Sequence, residues 1–136
     1  MTSQRHPPAE GPALEAVHRY FKGINAQDPA VYEDSLHYPH TRHAGGGIRH
    51  WEKPPPRGQD FLATLRQATP AWHRSTLEEA TVVQSSPDKV HFVVRFTRYD
   101  KAGKALETHH SLYVVTRRDG HWGIQIRSSF VPTRQR

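Results

Sequence analysis

The apolar residues of this chain change period halfway along, and that change restricts the fold more than any other feature. In the first half they recur at helical spacing, as Leu14, Val17, Phe21 and Ile24, then Phe61, Leu65 and Ala68. From Thr76 onward they alternate, as in Val90, Phe92, Val94 and Phe96. Helices first and hairpins afterwards define an α+β domain, with three N-terminal helices packed on a curved antiparallel sheet. At 136 residues one domain is expected, with a core large enough to need no disulfide or metal.

Residues 1–11 are polar and proline-bearing and read as a flexible tail, 12–131 as the domain, and 132–136, with Arg134 and Arg136, as a basic C-terminal tail. The first helix runs from Pro12 to about Ala26. Asp28-Pro29 caps a short second helix, with Val31, Ser35 and Leu36 on one face until Pro39. His40 to Trp51, with Gly45-Gly46-Gly47, reads as a hairpin or bulged strand whose glycines form a mobile rim. After the stiff Lys53-Pro54-Pro55-Pro56 connector, Gly58 and Asp60 open a third helix that Pro70 closes. Strands are expected at Thr76–Gln84, Lys89–Tyr99, Lys104–Arg118 and His121–Ser129, joined as a meander by turns at Ser86-Pro87-Asp88, Asp100 to Gly103 and Asp119-Gly120.

The absence of cysteine excludes disulfides, thiol catalysis and thiolate metal sites. No signal peptide is visible in Met1 to Tyr20 and no run approaches the ~18 apolar residues of a membrane span, so a cytoplasmic, membrane-free protein is expected. The net charge of +6 is spread along the chain without a Lys/Arg block, which argues against a nucleic-acid partner. Eleven histidines allow a pH response: adding eleven charges to +6 gives +17, enough to strain a basic dimer by self-repulsion.

Strand parity divides the sheet into two faces. Val90, Phe92, Val94 and Phe96 are assigned to the helices' side, and with them Thr108, His110, Leu112 and Val114, then Trp122, Ile124, Ile126, Ser128 and Phe130. The opposite face then carries Val93, Tyr113 and Val115 among Arg95, Arg117, Gln125 and Arg127. That mixture is too apolar to be well solvated, and a homodimer through this outer face is expected.

The opening Ala13-Leu14-Glu15-Ala16-Val17-His18-Arg19-Tyr20-Phe21, the Asn25-Ala26-Gln27-Asp28-Pro29 break, the His37-Tyr38-Pro39-His40 exit and the closing Asp119-Gly120-His121-Trp122-Gly123-Ile124 together resemble the nuclear transport factor 2-like (NTF2-like) superfamily, in particular its SnoaL-like and steroid isomerase-like members. The resemblance spans residues 12–131. It implies a cone of curved sheet around helices, a pocket at the open end and frequent dimerisation through the sheet. In steroid isomerase-like members a carboxylate after the second helix is the general base, and a tyrosine of the first helix polarises a carbonyl. Here His37 and His40 stand where the carboxylate would be, and Tyr20 matches the tyrosine.

These assignments point to a small-molecule pocket that performs cofactor-free isomerisation, dehydration or cyclisation on an apolar or aromatic carbonyl compound. His40 is the first candidate acid/base and His37 the second, since a neutral imidazole suits proton transfer near pH 7. His110 is the candidate partner, and Tyr20, Tyr38 and Ser128 are candidate donors to an oxyanion. Trp51 and Trp72 are candidate pocket walls, and Arg42 and Arg49 carry the planar fork that suits a carboxylate or phosphate. Asp34 is read as a helix-surface carboxylate. His37, His40 and His43 recur at three-residue steps, with His109 and His110 across the sheet, but Pro39 leaves their mutual geometry undefined and no metal or other cofactor is expected. The rival reading is a non-catalytic dimeric ligand-binding or assembly domain, its pocket filled by its own side chains.

Overall fold

The computed structural model describes residues 4–56 and 58–134; Arg136 and the outermost residues of both expected tails lie outside them. Helix α1 spans Pro7–Ala26, beginning five residues before the expected start. Two prolines suit a first helical turn, where their missing N–H groups cost nothing, and Ala9 and Ala13 extend the buried face formed by Ala16, Val17, Tyr20, Phe21 and Ile24. The expected N-terminal tail is therefore partly structured. The Gln4 carbonyl accepts from Ser85 N at 3.1 Å, the His6 amide donates to Ser85 Oγ at 2.6 Å, and Ser85 Oγ donates to Glu10 at 2.5 Å.

Gln27, at φ 51°, ends α1 in a left-handed cap, and the Asp28 carboxylate accepts from Ala30 and Val31 to start α2, Pro29–Asp34. The two helices touch at Gly23, where a Cβ would lie 2.6 Å from the Tyr32 amide nitrogen. The helix does not run on toward Pro39. The chain turns at Ser35 into β1, Leu36–Ala44, which holds Pro39 within it and pairs with β2, Gly47–Trp51, across a turn at Gly45 and Gly46. Helix α3 is Ala63–Ala68, preceded by the buried Leu62.

The meander follows as β3 Arg74–Ser85, β4 Lys89–Tyr99, β5 Ala105–Arg118 and β6 His121–Ser129, with a short β7, Thr133–Arg134, against β5. The strand order is β2-β1-β6-β5-β4-β3, and β1 runs parallel to β6. The fold is thus three helices on a largely antiparallel sheet, its core formed by α1 against Val90, Phe92, Val94, Tyr113, Val115 and Ile124.

Two strands depart from the expected parity. Antiparallel partners share a face, and Phe92, Val94 and Phe96 pair with Tyr113, Ser111 and His109. The inner face of β5 is therefore Glu107, His109, Ser111, Tyr113 and Val115, all buried, while His110 and Leu112 face outward. On β6 Ile124 pairs with Val115 and Ile126 with Val114, so Gln125 is an extra residue, a β-bulge that resets the alternation. Beyond it Arg127 turns inward and Ile126 outward. The outer face accordingly exposes Val93, Leu112 and Ile126 rather than Tyr113, Val115 and Arg127. Among the described residues no helix is long and apolar enough to cross a membrane.

Candidate functional site

A cavity of about 260 Å³ opens between the helices and the inner sheet face, smaller than the ~300–1,000 Å³ usual for drug-sized ligands. Tyr20 of α1 and Tyr32 of α2 reach it from the helices, and Tyr38, His40 and Arg42 from β1. Arg98 of β4 and Arg127 of β6 reach it from the sheet, and Trp51, Phe61, Leu62 and Leu65 supply apolar wall.

At one end Arg127 organises the polar groups. Its Nη1 donates to the Tyr20 hydroxyl oxygen, its Nε donates to His40 Nε2 at 3.0 Å, and its guanidinium carbon lies 5.2 Å from the Tyr20 ring centroid. His40 Nδ1 faces the Ile124 carbonyl at 3.0 Å. A carbonyl only accepts, so the ring proton is on Nδ1 and the Nε2 lone pair receives Arg127. Burial, followed by the Arg127 charge, pushes the His40 imidazole down to about 3 and keeps it neutral. Tyr20 accepts from Arg127 and retains its own O–H for a ligand oxygen. Tyr38 instead donates to Glu33 at 2.9 Å, and burial raises both the Tyr38 phenol and the Glu33 carboxyl.

At the other end Arg98, 7% exposed, donates through Nη1 to Thr69 Oγ1 at 2.7 Å and Glu107 Oε1 at 3.1 Å. Thr69 donates in turn to Glu107, and His109 faces the same oxygen at 3.2 Å while stacking on Phe96 at 4.7 Å. Burial alone would raise the Glu107 carboxyl. The Thr69 and His109 hydrogen bonds and the Arg98 charge outweigh it and hold the group below the usual carboxylate range. Burial and Arg98 push His109 down to about 4. Among the described residues the buried Arg98 Nε has no hydrogen-bond partner, a condition that costs about 1–3 kcal/mol for a typical polar group.

Six residues singled out in the sequence meet here: Tyr20, Tyr38, His40, Arg42, Arg49 and Trp51. The others do not. His37 is buried behind the cavity, its Nδ1 2.8 Å from Thr116 Oγ1, where a Cβ on Gly123 would touch its ring; burial, then Arg118, pushes it down to about 4. His110 is exposed on the outer face. Trp72 is buried in the core, donating to Ser75 Oγ at 2.9 Å, and Ser128 pairs with Leu112 beyond the bulge, so neither lines the cavity. His43 is exposed, so the three-residue histidine steps do not converge. Asp34 lies at the surface, 3.1 Å from Arg19.

Arg127, Arg98 and Tyr32 are the cavity residues that sequence reasoning missed. Tyr32 had a legible signal, since it stands one turn before Leu36 on the second helical segment. Arg98 had one too, since it continues the inward alternation of Val90 to Phe96, whereas Arg127 had none, because its position depends on the β6 bulge.

No protein-family model matches the chain, and no curated protein matches it. Solved structures do. An NTF2-like protein with a cystatin-like fold from Novosphingobium aromaticivorans superposes with a TM-score of 0.66 at 13% identity, over 86% of this chain and 77% of that one. The hexachlorocyclohexane dehydrochlorinase LinA-type3 from Novosphingobium barchaimii LL02 gives 0.67 at 12%, over 93% and 90%. A ketosteroid isomerase-like protein from Erwinia carotovora atroseptica SCRI1043 gives 0.62 at 16%, over 88% and 93%. The class defined by these likenesses is the NTF2-like, cystatin-like fold. This chain has that fold.

Proposed function

We propose that this chain is a small-molecule pocket protein that performs cofactor-free acid/base chemistry, of isomerase, dehydratase or cyclase type, on an apolar or aromatic carbonyl compound. The observation that carries the reading is the Arg127–Tyr20 hydrogen bond at the cavity wall. A hydroxyl that accepts from a cation becomes a stronger donor, so the Tyr20 O–H polarises a carbonyl oxygen placed against it. Such a donor counts most where water is excluded.

The base is His40, and its lone pair is covered until a ligand arrives. As charge develops on the ligand oxygen, the Arg127 guanidinium moves toward it and releases His40 Nε2, which takes the proton from the carbon beside the carbonyl. Return of that proton to another carbon isomerises the compound; loss of a β-hydroxyl as water dehydrates it. Fold neighbours named as a dehydrochlorinase and as ketosteroid isomerase-like support proton abstraction as the type of chemistry.

The test is deuterium exchange of α-protons, followed by NMR, across a panel of aryl and cyclic ketones in D2O. Exchange with the wild-type chain that falls about 100-fold in both Tyr20→Phe and His40→Gln supports the reading, and equal exchange in all three overturns it. The covered lone pair of His40 favours one alternative, a non-catalytic ligand-binding domain. Ketones that bind without exchange would select it.

A further inference from the structure

Resting on that pocket reading, we propose that the ligand is a 2-oxo acid whose carboxylate is held by a row of three arginines, Arg49, Arg42 and Arg127, beside the carbonyl that Tyr20 polarises. The body of the acid is aryl or alicyclic.

The row follows from register. Arg42 of β1 pairs with Arg49 of β2 on one side and with Arg127 of β6 on the other, and all three line the same cavity. Neighbouring strands lie about 4.8 Å apart, so the three side chains start within about 10 Å of one another. Like charges placed directly opposite on adjacent strands destabilise a sheet. An anion seated on the row would offset that repulsion.

Among the described residues no carboxylate does so. Asp60, the one carboxylate lining the cavity, is held by Arg66 at 3.1 Å and the Leu62 amide at 3.0 Å, and Glu33 accepts from Tyr38. The donors of the row are also largely unfilled. Arg49 donates through Nη1 to Thr64 Oγ1 at 3.0 Å. Arg127 engages His40 through Nε and Tyr20 through Nη1, and its Nη2 donates to nothing among the described residues. Arg42, half-buried, makes no hydrogen bond or ion pair among them. A guanidinium edge presents two parallel N–H groups, the spacing that two carboxylate oxygens accept together. Burial, then the Arg127 charge, hold the Arg42 guanidinium below the arginine range, in keeping with two cations on adjacent strands.

The position of the row selects the acid. Arg127 touches both the Tyr20 hydroxyl and His40 Nε2, so a carboxylate shared by Arg42 and Arg127 lies next to the carbonyl and not across the cavity. A cavity of about 260 Å³ suits that compact arrangement, with Phe61, Leu62 and Leu65 left to cover the apolar body. The carboxylate also accounts for how the base is uncovered. A neutral ketone brings no full charge to compete for Arg127, whereas a carboxylate competes on binding and frees the His40 lone pair.

Calorimetric titration of the full chain with benzoylformate, its primary amide, 3-benzoylpropionate and inorganic phosphate tests this. Benzoylformate is expected to bind at least about tenfold more tightly than the amide, and more tightly than 3-benzoylpropionate, whose carboxylate stands farther from its carbonyl. The preference over the amide is expected to shrink with added salt and to disappear in Arg42→Gln, whose unliganded Tm is unchanged or higher because one of three adjacent like charges is gone. Arg49→Gln, at the exposed rim, is expected to reduce it about threefold. Equal affinity for acid and amide, or a preference kept in full by either variant, overturns the arginine seat and leaves the pocket reading standing. Equal affinity for 3-benzoylpropionate and benzoylformate overturns the 2-oxo placement, and phosphate binding as tightly as benzoylformate overturns it in favour of a simple oxyanion site. If none of the carbonyl compounds binds, both readings fall.

Discussion

Arg127 and His40 stand in an uncommon relation: a guanidinium Nε–H donates to an imidazole nitrogen at 3.0 Å. Burial and then the Arg127 charge keep the histidine neutral, and its one acceptor site is filled by that cation, so its basicity is partly under the control of a neighbour on another strand.

Removing that neighbour should therefore change His40. In Arg127→Gln the positive charge is gone while burial persists, so the His40 pKa is expected to rise from about 3 by roughly one unit without regaining the free-imidazole value. A ¹H–¹³C NMR titration of the ring reads this directly. An unmoved titration would mean that burial alone sets the value.

Three buried histidines give the fold a distinctive acid limit. His37, His40 and His109 are pushed down to about 4, 3 and 4, from an unfolded value near 6.5. Between those limits the unfolded chain holds more protons, so stability is fully present above about pH 6.5 and falls as pH drops toward 4. At pH 5 the loss is of order 2 kcal/mol for each group at most. Acid unfolding followed by tryptophan fluorescence is expected to have its midpoint near pH 5. A midpoint below about pH 3.5, in the carboxylate range, would contradict the account.

Two glycines of α1 should respond oppositely to alanine. At Gly23 the new Cβ would sit 2.6 Å from the Tyr32 backbone nitrogen, so α2 must move away, at a cost of about 1–3 kcal/mol. At Gly11 nothing among the described residues lies within 4 Å of the added Cβ, and the substitution should stabilise by about 0.5–1 kcal/mol. Urea unfolding of both variants measures the contrast.

The contact between the first turn of α1 and the end of β3 depends on Ser85. Ser85→Ala leaves the His6 amide and Glu10 without a shared partner and is expected to cost about 1–2 kcal/mol. Hydrogen bonds from Arg5 and Ser85 hold Glu10 at about 2. Its contribution is present above the ordinary carboxylate pKa and lost as pH falls toward 2, so Glu10→Gln should flatten the stability profile in that window. Hydrogen exchange of the Ala9 amide offers a local check.

Much of the architecture was legible because periodicity and turn chemistry agree. Asp28-Pro29 marks a helix start, Val90 to Phe96 is buried on one side as its alternation requires, and the limits of β4 and β6 coincide with their apolar patterns. The errors fall where polar groups occupy the interior. On β5 the inward residues Glu107, His109 and Ser111 are polar because they form and flank the network behind Arg98, so hydrophobicity favoured the wrong face, and His110 was chosen where His109 is inside. On β6 one extra residue exchanges Arg127 for Ile126 and Ser128, and nothing in the local composition announces it. Pro7 and Pro8 suggested fraying, although the small residues Ala9, Ala13 and Ala16 carry the helical face through that turn.

The bulge at Gln125 also separates two things that are otherwise entangled. Gln125 is the supernumerary residue, holding the Pro39 carbonyl at 2.9 Å, and excising it would straighten the strand while still leaving Arg127 opposite Tyr113. A gene shortened by that one codon would keep the cation and lose the kink, telling apart a cone whose ligand choice is written in charge from one whose choice is written in curvature.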